Sequence, residues 1–145
     1  MKKAMLSAAL SAATLAAAGG MLATTAPGAA AAASHDIGPV HYYSASGESR
    51  GVGMFAADPE GPYPGDAIAA CDTLADGWGI EVQLDVNPGS SWHTDRLAST
   101  GGHPSGYCTK WLSKNIKEET RVAIRVCKVK AHHHTACGKQ HYGWA

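Results

Sequence analysis

The chain has 145 residues, with twelve lysines and arginines balanced by twelve acids, and four cysteines. This length suits one modest core and excludes a multidomain architecture. A balanced charge gives no reason to expect nucleic acid as a partner.

Residues 1–33 read as a secretory signal peptide. "MKK" is a basic start, an apolar run rich in alanine follows, and Ala31-Ala32-Ala33 fits the small-x-small cleavage rule. Cleavage there leaves residues 34–145, expected to be secreted and extracellular with no membrane partner. Export also removes Lys2 and Lys3, leaving ten bases against twelve acids. The charge is uneven along the chain. Residues 34–109 hold ten acids and two bases, Arg50 and Arg96, whereas residues 110–145 hold eight bases and two acids, Glu118 and Glu119. Folding interleaves the halves, so the expectation is a mixed surface. The sharper possibility is a basic face for an anionic wall polymer.

Residues 34–49, "SHDIGPVHYYSASGES", read as a flexible lead-in because of their glycine and serine content. "RGVGMFAAD" (50–58) is a strand whose glycines mark a bulge. "PEGPYPGD" (59–66) is loop, forced by three prolines and two glycines. "AIAACD" (67–72) is a short strand, and Asp76-Gly77 is a turn tip. "WGIEVQLDV" (78–86) is the clearest strand. Ile80, Val82, Leu84 and Val86 alternate with Gly79, Glu81, Gln83 and Asp85, which predicts one buried face and one wet face.

"NPGS" (87–90) is a turn, and "SWHTDRLAST" (91–100) is a return strand. "GGHPSG" (101–106) is loop, and "YCTKWLS" (107–113) alternates again. "RVAIRVCKVK" (121–130) turns Val122, Ile124 and Val126 to one side and Arg121, Ala123, Arg125 and Cys127 to the other. "CGKQHYGW" (137–144) closes the chain. About seven short strands, turns rich in glycine and proline, and no long helical period predict an all-β fold. The expected form is an antiparallel β-sandwich of the immunoglobulin/fibronectin kind over residues 50–145.

Four cysteines in a small exported domain predict two disulfides. Of the three possible pairings, the spacing favours Cys71–Cys108 and Cys127–Cys137. If 121–130 and 137–144 run antiparallel, Cys127 and Cys137 sit opposite each other. Strand parity then puts this staple on the outer face, with Arg125.

Candidate sites are few. His132 and His134 at the tip of that hairpin, with His141 further down the opposite strand, are the candidate metal ligands, since imidazoles hold Zn²⁺, Ni²⁺ or Cu²⁺. A closed zinc site needs a fourth ligand, and the sequence offers none. The default reading is therefore a solvated loop and no cofactor. No G-x-S-x-G elbow singles out a catalytic triad. Glu60 and His93 have the right types for an acid–base pair but no telling spacing. Asp76 is accounted for by its turn and Glu81 by the wet face of its strand. Trp78, Trp92, Trp111 and Trp144 are many for this length. Some are expected in the core, because Phe55 is the only phenylalanine. Any that share an exposed face would form a platform for sugar rings or a partner protein.

At "CDTLADGWGIEVQL", "STGGHPSGYCTKW" and "TRVAIRVCKV" the chain resembles a group of small exported β-rich proteins of actinomycetes. The resemblance covers roughly residues 50–145. It implies export, two disulfides and a β-sandwich, and it carries over no catalytic residues. The subtilisin and amylase inhibitors of the same bacteria share the size and cysteine count, but not the cysteine-flanked reactive loop or a Trp-Arg-Tyr motif. The function expected from sequence is a monomeric, non-catalytic binding module for an extracellular polymer or protein. The alternative is a secreted inhibitor of a protease or amylase, with "DPEGPYPGD" as the loop that enters the enzyme.

Overall fold

The structure, a computed structural model, describes residues 35–130 and 133–145. The expected signal peptide lies outside them. Among the described residues there are eleven strands and no α-helix, so the all-β class holds. Eight of the strands exceed two residues, against the seven or so expected.

The first sheet has the order β1-β2-β5-β8, formed by β1 (Ile37–Tyr43), β2 (Ser49–Ala56), β5 (Ala67–Asp72) and β8 (Leu112–Ser113). The second is built on β6 (Gly79–Val86) and β9 (Arg121–Lys130). β7 (Arg96–Ser99) flanks β6, while β10 (His133–Cys137) and β11 (His141–Trp144) both pair with β9. A small separate ribbon pairs β3 (Pro59–Glu60) with β4 (Tyr63–Pro64). All pairings are antiparallel.

One apolar cluster joins the two sheets. Phe55 and Ile68 come from the first; Val82, Leu84, Ile124 and Val126 come from the second. At about 25 cal/mol per Å² of apolar surface removed from water, this cluster is the main stabilising term. Gly51 and Gly53 of β2 allow the close approach. A Cβ on Gly53 would lie 2.4 Å from Val82 Cγ2 and 2.7 Å from Val126 Cγ2. As expected, these glycines also border irregular pairing: Val40 pairs with Gly53 and Tyr42 with Gly51, each at the edge of a register shift. The β2–β5 register is unbroken, and the irregularities fall in the β1–β2 pairing at Ile37/Val40 and Tyr42/Tyr43.

Three expectations are corrected. Residues 34–49 are not a lead-in: β1 lies there, with Ile37 and Val40 buried in the core. The serines and glycine belong to the turn between β1 and β2, where Ser44 O accepts Gly47 N at 3.0 Å. Residues 59–66 are not mere loop but contain the β3–β4 ribbon. Finally, β6 has no wet face. Glu81, Gln83 and Asp85 alternate outward as predicted yet are only 2–3% exposed. The 87–95 segment covers them: Thr94 Oγ1 donates to Gln83 Oε1 at 3.3 Å, and His93 N donates to Asp85 Oδ2 at 2.9 Å.

A cleft at one end of the two sheets

Both disulfides form as the spacing favoured, Cys71–Cys108 and Cys127–Cys137. Cys137 pairs with Cys127 across β10 and β9, on the side of the sheet where Cys127 faces Glu81's position on β6. The first disulfide helps to shape a cleft at one end of the sheets. It ties the end of β5 to the 101–108 loop, and hydrogen bonds reinforce the join. Asp72 N donates to Tyr107 O at 2.9 Å, Gly106 N to Asp72 O at 2.8 Å, and Thr109 N to Ala70 O at 2.8 Å.

A second loop, 73–78, is set by two aspartates of the kind that favour turns. Asp72 Oδ1 accepts Leu74 N at 3.1 Å, and Asp76 Oδ1 accepts Trp78 N at 3.0 Å. Asp76 also forms an ion pair with Arg50. The turn expected at Asp76-Gly77 is thus present, with Gly77 at a φ of 75° that a β-carbon would resist. The two loops lie close together, since a Cβ on Gly79 would come within 3.0 Å of Gly101 Cα.

Between these loops and the end of β9 lies a cleft of about 620 Å³, lined among others by Asp72, Trp78, His103, Val129 and Lys130. Its volume falls in the range of small-molecule sites, roughly 300–1,000 Å³. Its chemistry is aromatic and cationic. Lys128 Nζ and Lys130 Nζ lie 4.1 and 5.1 Å from the centre of the Trp78 ring. On the other loop His103 stacks on Tyr107, with centroids 3.8 Å apart and planes within 10°. Asp72 lines the cleft while only 3% exposed. Burial pushes its carboxyl above the ordinary aspartate range, and the hydrogen bond from Leu74 N offsets part of that rise.

Register sets two of the three candidate histidines apart. His134 pairs with Val129 and His141 with Ile124. Those positions lie five residues apart along β9, about 17 Å at the usual rise, beyond the span of one ion's ligands. His132 lies outside the described residues. Among the described residues no group of three or more His, Cys, Asp or Glu is arranged to hold a metal ion. His93 Nδ1 is partnered with Asp95 Oδ1 at 3.1 Å, not with Glu60, which sits exposed on the ribbon.

None of the four tryptophans joins the fully buried core. Trp78 and Trp92 stack against cations, Trp111 packs edge-on against Tyr63, and Trp144 is 45% exposed. The one phenylalanine and the aliphatic residues fill the interior without them. No single exposed platform unites the tryptophans. They mark separate places, and the sequence signal that points to the cleft is the Cys71–Cys108 pairing, which brings Asp72 and His103 to one end. No family model, characterised protein or solved structure matches the chain.

Proposed function

We propose that this chain is a secreted, monomeric, non-catalytic binding module, a β-sandwich of the immunoglobulin/fibronectin kind, that takes an anionic extracellular polysaccharide in the cleft at the end of its sheets. The observation that carries this reading is a concave site lined by Trp78 and Lys130, with the Lys128 ammonium also held over the Trp78 ring. An aromatic face packs against the apolar face of a sugar ring, and adjacent ammonium groups attract carboxylate or phosphate substituents. The cleft's own acid and imidazole are engaged in holding structure, Asp72 in its turn and His103 in its stack, which favours binding over turnover. Two disulfides in a small domain are typical of extracellular proteins and support export.

Retention on an immobilised polyuronate, compared with an uncharged glucan, tests this reading. The parent protein is retained on the polyanion and released by salt, since screening weakens exposed charge contacts. Trp78→Ala passes straight through. Equal passage of parent and variant on both matrices removes the proposal.

The inhibitor reading is favoured by one observation, the bracing of the β3–β4 ribbon. Pro59 through Pro64 are exposed, yet the base of the ribbon is fixed. Asp66 Oδ2 accepts Ile116 N at 2.8 Å, Ser113 Oγ donates to Gly65 O at 2.7 Å, and Arg96 donates to Asp66 O. A rigid projecting loop loses little entropy on entering an enzyme cleft. A panel of secreted proteases and amylases assayed with micromolar protein decides this: activity left intact throughout ends the inhibitor reading.

A further inference from the structure

The end of the molecule opposite the cleft carries a second binding feature. β5 runs from the ribbon end at Ala67 to the cleft end at Asp72. At the ribbon end, Tyr63 of β4 meets Trp111 with ring centroids 5.0 Å apart and planes at 66°. Tyr63 is 42% exposed and Trp111 half-buried. The two rings wall an apolar pocket of about 180 Å³, whose other sides include Pro39, Met54 and Phe55. This space suits one compact apolar side chain.

Two further observations restrict the occupant. The first is charge. The acid Asp36 lines the pocket and no lysine or arginine does, while Asp58 and Glu60 stand exposed on and beside the ribbon. Basic groups are the complement. The second is backbone chemistry. Pro39 lines the pocket, and Pro59, Pro62 and Pro64 stand in the ribbon that carries Tyr63; none has an N–H to donate. A partner strand that needs a ladder of backbone hydrogen bonds finds a poor template here. An extended polyproline segment makes few such bonds, arrives with little conformational entropy to lose, and docks its rings between aromatic side chains.

We infer that the Tyr63–Trp111 pocket is a docking site for an extended, proline-containing, basic peptide segment of another protein. This site is separate from the anionic-polymer cleft and stands whether or not that reading does.

The test is fluorescence anisotropy with a labelled short peptide of alternating arginine and proline, titrated with the full mature protein. Three comparison probes accompany it: a glutamate–proline peptide, an arginine–glycine peptide and a neutral β-linked oligosaccharide. Saturable binding of the arginine–proline peptide is expected, with each comparison probe at least about tenfold weaker. Trp111→Ala and Tyr63→Ser are expected to weaken it about tenfold, and Trp111→Phe much less. Glu60→Lys, on the exposed ribbon and away from the core, weakens it without touching the rings. Each variant is checked for two intact disulfides and for the parent's melting temperature, so that Tyr63→Ser and Glu60→Lys carry the test if Trp111→Ala does not fold. Absence of binding by the arginine–proline peptide overturns the inference. So does unchanged affinity in the folded ring variants, or tighter binding of the oligosaccharide.

Discussion

Arg125 holds its guanidinium 4.2 Å from the centre of the Trp92 ring. Its Nε donates to Gln83 Oε1 at 2.8 Å, and Gln83 Nε2 in turn donates to Glu81 Oε1 at 2.6 Å. Two strands and the 87–95 segment are thus joined through one arginine. Burial lowers the Arg125 pKa from its ordinary value, and the charges of Glu81 and Asp85 offset part of this. The chain pays for two nearly buried carboxylates with this one cation and a set of hydrogen bonds.

Arg125→Met tests that network. It keeps the stem and the packing but leaves Glu81 and Asp85 without their cation. A loss of about 2–4 kcal/mol is expected from urea unfolding at neutral pH. Trp92→Phe keeps a ring over the guanidinium and costs at most about 1 kcal/mol. If Arg125→Met unfolds at the same urea concentration as the parent, the network does not stabilise the fold.

This network also explains where the sequence misled. Strict alternation in 79–86 correctly assigned Glu81, Gln83 and Asp85 to the outer side of β6. Parity states which side a residue faces, not whether water reaches it, and a segment several residues downstream closed over that side. β5 and β9 were legible because their apolar residues alternate or run together. β1 was not, because Pro39 and two register irregularities interrupt its alternation, and the adjacent serines resemble a linker. The cleft was the least legible feature. Asp72 and Trp78 flank one short loop, but His103 and Lys130 are far from them in sequence, and only strand pairing and the Cys71–Cys108 bond bring the four together. The histidine run drew attention for its composition, whereas register spreads His134 and His141 along β9.

Gly53→Ala tests the interlock of the two sheets. The new methyl would meet Val82 and Val126, both at most 1% exposed. Overpacking of that kind costs about 1–3 kcal/mol. Gly89→Ala is the control: nothing lies within 4 Å of its added Cβ. It is expected to leave the melting temperature unchanged or to raise it slightly, by restricting the unfolded chain. Equal destabilisation by both substitutions would contradict the close approach at Gly53.

The two disulfides are expected to differ in what they protect. In the chain-entropy account, Cys71–Cys108 contributes about 4 kcal/mol and the shorter Cys127–Cys137 loop about 3. Replacing either pair with serines therefore lowers the melting temperature by comparable amounts. Binding separates them. Cys71–Cys108 anchors the loop carrying His103, so its loss abolishes retention on the polyanion even below the melting transition. Loss of Cys127–Cys137 leaves retention intact at the same temperature. Retention lost equally in both variants would detach the cleft from the first disulfide.

Asp72 gives a pH signature. Its folded pKa is raised by burial, so the folded state holds the proton more tightly than the unfolded chain does. Stability from this group is fully present below the ordinary aspartate value of 3.8 and declines as pH rises through the raised folded value. Above that value the buried carboxylate carries its full desolvation cost. Asp72→Asn keeps an oxygen to accept Leu74 N while removing the charge. The variant's melting temperature is therefore expected to match the parent's most closely at pH 3 and to gain on it progressively toward pH 7. Thermal melts of both proteins across that interval provide the check. A gain that is constant with pH, or largest in acid, would mean that the Asp72 carboxylate is stabilised in the fold by contacts that outweigh its burial.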